Sequence, residues 1–481
     1  MRGRSLRFHA STALAVVLLV AATAVGGSAR AATGDPHLEA GFPVKTFNDA
    51  GTAHGGASVH VLAGNVDEDP TLEIFATGLS TGPLFAWNAD GSPLPGWPTR
   101  DEAGAAYPAL GNLSRKSHSF EVVTGTWGQR EIKSRLQAHL GDGTNVSGWP
   151  RTAVNYIDTP PMLADVDGDG IDEIFTNEQD GTPHGYRADG SVLPGWPPAG
   201  TKPWSAQRTS TPAAADLDGD GSLDIVGAAG EWVFAYRADG SSLPGFPVRA
   251  AASGYVDAYP AIGDVDGDGA LEIVVVEGGP TVVVLSRTGV VERTMTPARG
   301  VSYGTAPALA DLDGDDVPEI VVQTDGALDV WKGNGSRLAG WPVTWGDYWV
   351  GNSAPVVGDV DGDQLPDIVV TGHVAGADTG EVRAYSRNGT LLAGFPKNPG
   401  LGAKVAAPAI ADLDLDGRNE IVVAGNDVDI IGYFDDVWVY DLGGGPHGPI
   451  EWGQLMGGPR HQGRYGAPTA PAAPPAPTGS P

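Results

Sequence analysis

The chain has 481 residues, 71 glycines, 39 prolines and no cysteine, with a formal net charge of −30. So acidic a balance argues against nucleic acid and anionic membranes as partners, and the missing cysteines exclude disulfide staples and a thiol nucleophile. Length alone would suggest about three domains, but internal repetition sets a different count.

Residues 1–31 read as a secretory signal: a basic start at Arg2, Arg4 and Arg7, an apolar run from Ala13 to Val25, and Ala29-Arg30-Ala31 as cleavage site. The run is too short for a stable membrane span, so no membrane insertion of the mature chain is expected. That chain would carry 25 basic and 59 acidic residues, and a secreted, extracellular, monomeric protein is predicted.

Residues 32–465 are organised around Asp165-Val-Asp-Gly-Asp-Gly-Ile-Asp-Glu173, with carboxylates at relative positions 1, 3, 5 and 9 and glycines at 4 and 6. Alternating acids converge on one point only if the chain curls tightly, and glycine supplies the positive φ the curl needs. Oxygen ligands in such number suit a hard cation, and Ca²⁺ accepts six to eight of them. The loop Asp165, Asp167, Asp169, Glu173 recurs as Asp216, Asp218, Asp220, Asp224; as Asp264, Asp266, Asp268, Glu272; and as Asp311, Asp313, Asp315, Glu319. It recurs again as Asp359, Asp361, Asp363, Asp367 and as Asp412, Asp414, Asp416, Glu420. A weaker first copy, Asn65, Asp67, Asp69, Glu73, opens on an amide and has Pro70 in place of a glycine. Another copy, Asn112 to Phe120, has lost its acids and places Lys116 at position 5, so it is read as structural only. Calcium is thus the expected cofactor, six ions in the full loops and a seventh in the weaker one. EF-hand loops end on a bidentate Glu at position 12 and enter a helix. Here position 12 is Thr176, Gly227, Val275, Val322, Val370 or Val423, and strand-like sequence follows.

The eight loops begin 47 to 53 residues apart. Each unit starts on a step such as Thr211-Pro212-Ala213, runs through the loop into a strand such as Glu319-Ile-Val-Val322, and turns back at a strand such as Trp232–Tyr236. It closes on Gly-Trp-Pro or Gly-Phe-Pro, whose aromatics are expected to pack between neighbours. Four short strands per unit without helical periodicity predict an all-β propeller. The repeat cores lie near 60–98, 106–150, 159–197, 210–247, 258–294, 305–342, 353–396 and 406–442. That gives eight blades, or seven if the fifth unit, which lacks a Gly-aromatic-Pro step, is not one. Gly41-Phe42-Pro43-Val44 is an orphan last strand, expected to complete the eighth unit and close the ring. Residues 466–481 form a Pro/Ala-rich tail.

These loops, framed by Gly-aromatic-Pro steps and by starts such as Ser353-Ala354-Pro355, resemble the FG-GAP/VCBS repeats of integrin-α-type propellers over roughly residues 41–465. The resemblance implies calcium held by side chains at positions 1, 3, 5 and 9 and by the backbone carbonyl at position 7, Ile171 for example, on one rim. In three loops Asp316, Gln364 or Leu415 replaces a glycine, and all four carboxylates remain. The family includes adhesion modules, lectin-like proteins and repeat regions attached to enzymes.

No histidine pair has metal-ligand spacing, and neither a nucleophile elbow nor a P-loop is present. The acids are already explained by calcium, so no catalytic residue is assigned. Trp345, Tyr348 and Trp349, with Trp204 and Tyr255 in earlier connections, are candidate sugar-stacking aromatics, against a packing role. The acidic insertion Asn426–Asp436 reads as a solvated loop. The expected function is a binding or adhesion module for extracellular protein or glycan. The alternative, implied by the resemblance, is a polysaccharide-degrading enzyme of the rhamnogalacturonan-lyase-like propeller type.

Overall fold

The computed structural model describes residues 35, 37–45, 61–77, 83–99, 105–114, 119–126, 134–153, 157, 159–178, 181–199, 210–250, 259–278, 281–300, 305–346, 348–349, 353–374, 380–399, 407–429 and 432–466. The signal, the tail beyond Gly466, Lys116, Trp204 and Tyr255 lie outside them.

Each repeat folds into one antiparallel sheet, and eight such blades form an eight-bladed β-propeller. Blade 4 shows the pattern. Its inner strand Ala213–Ala215 pairs with Asp224–Ala229, that strand with Trp232–Tyr236, and the last with the short outer strand Val248–Arg249. The fifth unit is a full blade: in place of a Gly-aromatic-Pro step it has a longer outer strand, Val291–Met295, on Thr281–Ser286. Seven blades are therefore excluded.

The apolar core is distributed over the seams between blades, because both faces of each sheet are covered by neighbours. Leu62, Phe75 and Trp97 of blade 1 pack on Leu110 and Val122 of blade 2, and Phe175 and Trp196 of blade 3 pack on Ala214 and Ile225 of blade 4. The Gly-aromatic-Pro step sets the seam. The indole N–H of Trp97 donates to the Gly141 carbonyl at 2.7 Å, and that of Trp196 to the Ala238 carbonyl at 2.8 Å, each in the next blade. The glycine of the step has φ of +87° at Gly195, and a Cβ there would collide with the Asp239 carbonyl of blade 4. Only glycine serves both needs.

The ring closes as the orphan strand suggested. Val44–Lys45 pairs with the third strand of blade 8, Val44 opposite Val437, and Phe42 is buried in the seam between blades 8 and 1. The N-terminal segment thus supplies the outer strand of the last blade. A one-sided edge is removed.

A second closure runs down the axis, and the repeat pattern did not announce it. Residues 450–465 circle the inner strands. Ile450–Trp452 pairs with Val356–Gly358 of blade 7, and the Ile410 N–H of blade 8 then donates to the Gly453 carbonyl at 2.7 Å. The Gln454 amide reproduces a strand contact on blade 1, donating to the Ala63 carbonyl at 2.9 Å and accepting from its N–H at 3.0 Å. Leu110, Leu163, Ala214 and Ile262 of blades 2 to 5 donate to the carbonyls of Pro459, Arg460, Gln462 and Gly463. Tyr465 completes the circuit with a hydroxyl bond to Glu451 at 2.7 Å. Trp452, Leu455 and Met456 are buried along it. Channel-facing N–H groups that would otherwise need water are satisfied by chain.

Candidate metal centres on one rim

Every acidic loop joins the inner strand of its blade to the second strand, so all of them lie on one face of the ring. The carboxylates themselves fold the loop. At position 1, Asp165 accepts from the N–H groups of Gly168, Asp169 and Gly170 at 2.8 to 3.0 Å, and Asp216, Asp264 and Asp311 do the same in their loops. At position 5, Asp169 accepts from Ile171 N–H at 2.8 Å. At position 9, Glu173 accepts from Val166 N–H at 3.1 Å, and Glu73, Asp224, Glu272, Glu319, Asp367 and Glu420 repeat the bond. The curl is prepared by hydrogen bonds to charged acceptors.

The result is a cluster of like charges. In Asp67/Asp69/Glu73, Asp165/Asp167/Glu173, Asp216/Asp218/Asp224, Asp264/Asp266/Glu272 and Asp311/Asp313/Asp315, one oxygen from each residue lies within 4.8 Å of the others. Burial, reinforced by the neighbouring carboxylates, pushes the position-9 carboxyl up: to about 8 for Glu73, Asp367 and Glu420, about 7 for Glu173, Glu272 and Glu319, and about 6 for Asp224. Several oxygens aimed into the loops are buried with no partner, namely Asn65 Oδ1, Glu73 Oε1, Asp218 Oδ1 and Asp412 Oδ1. Convergent carboxylates, raised pKa values and orphaned oxygens are what a hard cation would relieve. The residues fit a metal ion.

The three departures from glycine keep the glycine conformation. Asp316, Gln364 and Leu415 have φ of +65°, +69° and +62°. Loop 1 follows another path, since proline cannot adopt positive φ; there the Asn65 amide donates to the Asp69 carbonyl at 2.5 Å. Loop 2 is a correction. Its ninth residue, Phe120, is not the counterpart of the other position-9 acids; the loop is one residue longer and Glu121 takes that place, opposite Gly111 as Glu73 is opposite Gly64. Glu121 accepts from Leu113 N–H at 2.7 Å and from the Ser114 hydroxyl. A hydroxyl thus meets the acid where other blades offer further carboxylates, so this loop retains one acid.

Residues 443–449 cross the same rim before entering the axis. Gly448 N–H donates to Asp359 Oδ2 at 2.6 Å, the Gln364 amide donates to the Pro446 carbonyl, and Asn419 N–H donates to His447 Nδ1 at 2.7 Å. Loops 7 and 8 are thereby tied to this segment, with Leu365 and Leu415 still exposed. Elsewhere the rim opens into clefts. One of about 510 Å³ between blades 2 and 3 has Leu113, Leu140 and Val146 on one wall and Asp167, Glu173 and Arg187 on the other.

Among the described residues, Trp345 and the Tyr348–Trp349 strand are not at this rim. Trp345 is buried at 9% exposure, stacked on Tyr385 at 5.7 Å with the Arg383 guanidinium over its ring. Packing accounts for it. Tyr348–Trp349 forms a short strand on His373 and Val374 in the connection at the opposite face. The Asn426–Asp436 insertion is not a loop: Glu420–Asp429 and Gly432–Tyr440 continue as one hairpin, Asp427 opposite Phe434 and Val428 opposite Tyr433. Its β-branched and aromatic residues outweigh its acids. His461, in the axial segment, is fully buried and lowered to about 4, with Nδ1 on the Pro161 carbonyl. It is a packed, neutral histidine.

A family model described as an FG-GAP-like repeat matches residues 165–227, 264–322, 311–370 and 359–423. No curated protein sequence matches the chain. Among solved structures, the Vibrio cholerae (V. cholerae) biofilm matrix protein Bap1 is similar at 13% identity and a TM-score of 0.62, over 87% of this chain and 94% of that one. Saccharomyces cerevisiae Sqt1 is similar at 12% identity and 0.56, over 84% and 98%, and BamB from Moraxella catarrhalis at 14% and 0.51, over 82% and 96%. These likenesses concern the fold. With four matched units across residues 165–423, the chain is an FG-GAP-type repeat protein.

Proposed function

We propose that the chain is a secreted, calcium-stabilised propeller that acts as a binding or adhesion module for an extracellular protein or glycan and works as a monomer. The observation that carries this reading is the rim: acidic loops folded by their own carboxylates, each with a buried position-9 acid, around clefts such as that between blades 2 and 3. Calcium would be held by the side chains at positions 1, 3, 5 and 9. Bound there, it would neutralise the clustered acids and fix the cleft walls. Residues 450–465 take up the hydrogen-bonding groups of the inner strands, so ligands are expected on the outer surfaces and not in a central funnel. No catalytic step is assigned. The raised position-9 carboxyls face the candidate ions, whereas Asp172 and Asp329, also raised by burial, are paired with Arg460 and Arg337, and His461 is sealed in the core.

The test is incubation of the mature chain with soluble and insoluble polysaccharides and with extracellular-matrix protein, in calcium and in chelator. Depletion onto one of them in calcium alone, with no shortened or unsaturated product, is expected. Product release would overturn the module reading in favour of an enzyme, and depletion unaffected by chelator would remove calcium from the account.

A further inference from the structure

The acidic loops are not equivalent, because in one of them a single cation reaches three of the four ligand carboxylates. Lys332 is the first residue after the third strand of blade 6, Ala327–Trp331. That strand pairs Trp331 with Ile320, which sets Lys332 across from the position-9 acid Glu319. In blades 5 and 7 the corresponding register pairs Ser286 with Glu272 and Ser386 with Asp367, and in blades 3 and 4 it places Arg187 and Arg237. The Lys332 side chain extends from there into the loop. Its ammonium contacts Asp313 Oδ2 and lies 3.1 Å from Asp315 Oδ2 and 3.8 Å from Glu319 Oε1. Positions 3, 5 and 9 therefore share one positive charge.

No other cation among the described residues reaches so many ligands of one loop. Arg237 meets Asp218 at 2.6 Å and Arg293 meets Asp266 at 3.5 Å, a single loop carboxylate each. Arg418 bridges Asp416 to Asp441, outward from the loop. Calcium holds its oxygens at about 2.3 to 2.6 Å. An ion placed among Asp313, Asp315 and Glu319 would then lie beside the ammonium, or would have to expel it and break its three contacts.

We infer that loop 6 is self-neutralised: Lys332 supplies the positive charge that calcium supplies in the other acidic loops, and loop 6 binds calcium more weakly than they do. This rests on the proposal that the other loops hold calcium. Blade 6 accordingly keeps its loop closed when calcium is withdrawn, and the rim does not loosen evenly.

The experiment is calcium titration by calorimetry together with native mass spectrometry, on the wild type and on Lys332→Met, which keeps the stem and removes the charge. Arg237→Met serves as the comparison. Lys332→Met is expected to add one bound ion at fixed calcium, or to tighten the weakest class by about tenfold or more, the scale of a lost charge contact or two. Arg237→Met is expected to do less. Unchanged stoichiometry and unchanged weakest affinity in Lys332→Met would overturn the inference while leaving the other loops as calcium sites. If neither protein binds calcium, both readings fall. Hydrogen exchange in chelator gives a readout on the unaltered chain: protection at residues 311–319 should persist when that at 165–173 and 264–272 is lost, and equal loss in all three refutes it.

Discussion

Gly195 and Gly221 have nearly the same backbone angle, φ of +87° and +89°, but very different surroundings. Gly195 belongs to a Gly-aromatic-Pro step, and a Cβ there would come well inside 3.0 Å of the Asp239 carbonyl in the next blade; at Gly221, in an acidic loop, nothing lies within 4 Å. Alanine at either site meets the same left-handed strain, about 1–2 kcal/mol, less the ~0.4–1 kcal/mol gained by stiffening the unfolded chain. Gly221→Ala should therefore cost about 1 kcal/mol. That loop position tolerates a side chain, since Asp316 and Gln364 occupy it at φ of +65° and +69°. Gly195→Ala must in addition push blades 3 and 4 apart. Backbone overpacking costs about 1–3 kcal/mol, and the shift strains the bond of 2.8 Å from Trp196 to Ala238, worth ~1 kcal/mol. The gap between the two variants should be about 2–4 kcal/mol, all of it from the seam. Urea unfolding in saturating calcium measures it as a difference in midpoint at constant slope. Equal midpoints would show that the glycine of the step is required for its angle alone, and that the close approach does not set blade spacing.

Three further outcomes are expected. Trp452→Ala in the axial segment, where the ring is 1% exposed, should cost about 3–5 kcal/mol and raise amide exchange at Val357 and Ile410; normal exchange there would mean the segment is dispensable. Leu415→Gly should stabilise, because the leucine is 51% exposed at φ of +62° and relief of roughly 1–2 kcal/mol exceeds the entropy of glycine; a lower urea midpoint refutes it. In chelator, the position-9 carboxyls ordinarily near 4.5 and raised to about 7 or 8 keep in the folded chain protons that the unfolded chain has released. Their stabilising contribution is full below the unfolded value and is lost as pH rises through about 7 to 8. The chelated melting temperature should thus fall across that window while added calcium stabilises more strongly at its upper end, and a flat profile for both would contradict the burial of these acids.

Much of this was legible because each repeat carries its instructions within nine residues. Asp165 to Glu173 states both the ligands and the glycines that bend them, and Pro-Ala starts with Gly-Trp-Pro ends mark where a blade begins and stops. The orphan Gly41-Phe42-Pro43 was readable for the same reason, as a step without its loop. Glu121 was missed because it was sought by spacing from Asn112. Alignment from the following strand, Glu121-Val-Val like Glu319-Ile-Val, would have found it. The hairpin at Asn426–Asp436 was hidden by its acids, although Val428, Tyr433 and Phe434 are strand formers. The axial segment left almost no signal. It holds the inner strands chiefly through main-chain carbonyls, which any residue has, and only Gln454 and Gln462 use side-chain amides on blade backbones.

The closures act over different distances, and that separates their roles. A cation in an acidic loop links residues at most eight positions apart, so it can stiffen a rim but cannot join one blade to a distant one. The ring is joined by Val44 on Val437 at the outer edge of blade 8 and by residues 450–465 along the inner edges. Both are chain segments from the ends of the sequence, and both require the blades they bridge to be in place. A chain without cysteine obtains through them a long-range linkage of the kind that disulfides give elsewhere. If the loops hold calcium as proposed, withdrawing it should loosen the loops and the cleft walls first, with the ring still closed, whereas cutting the chain before Ile450 should open the inner edges with the acidic loops intact. Ligand binding at the rim would then be lost while the ring is still closed, and the global unfolding midpoint would fall with each ion withdrawn, because an ion held only by the folded loop stabilises the folded chain.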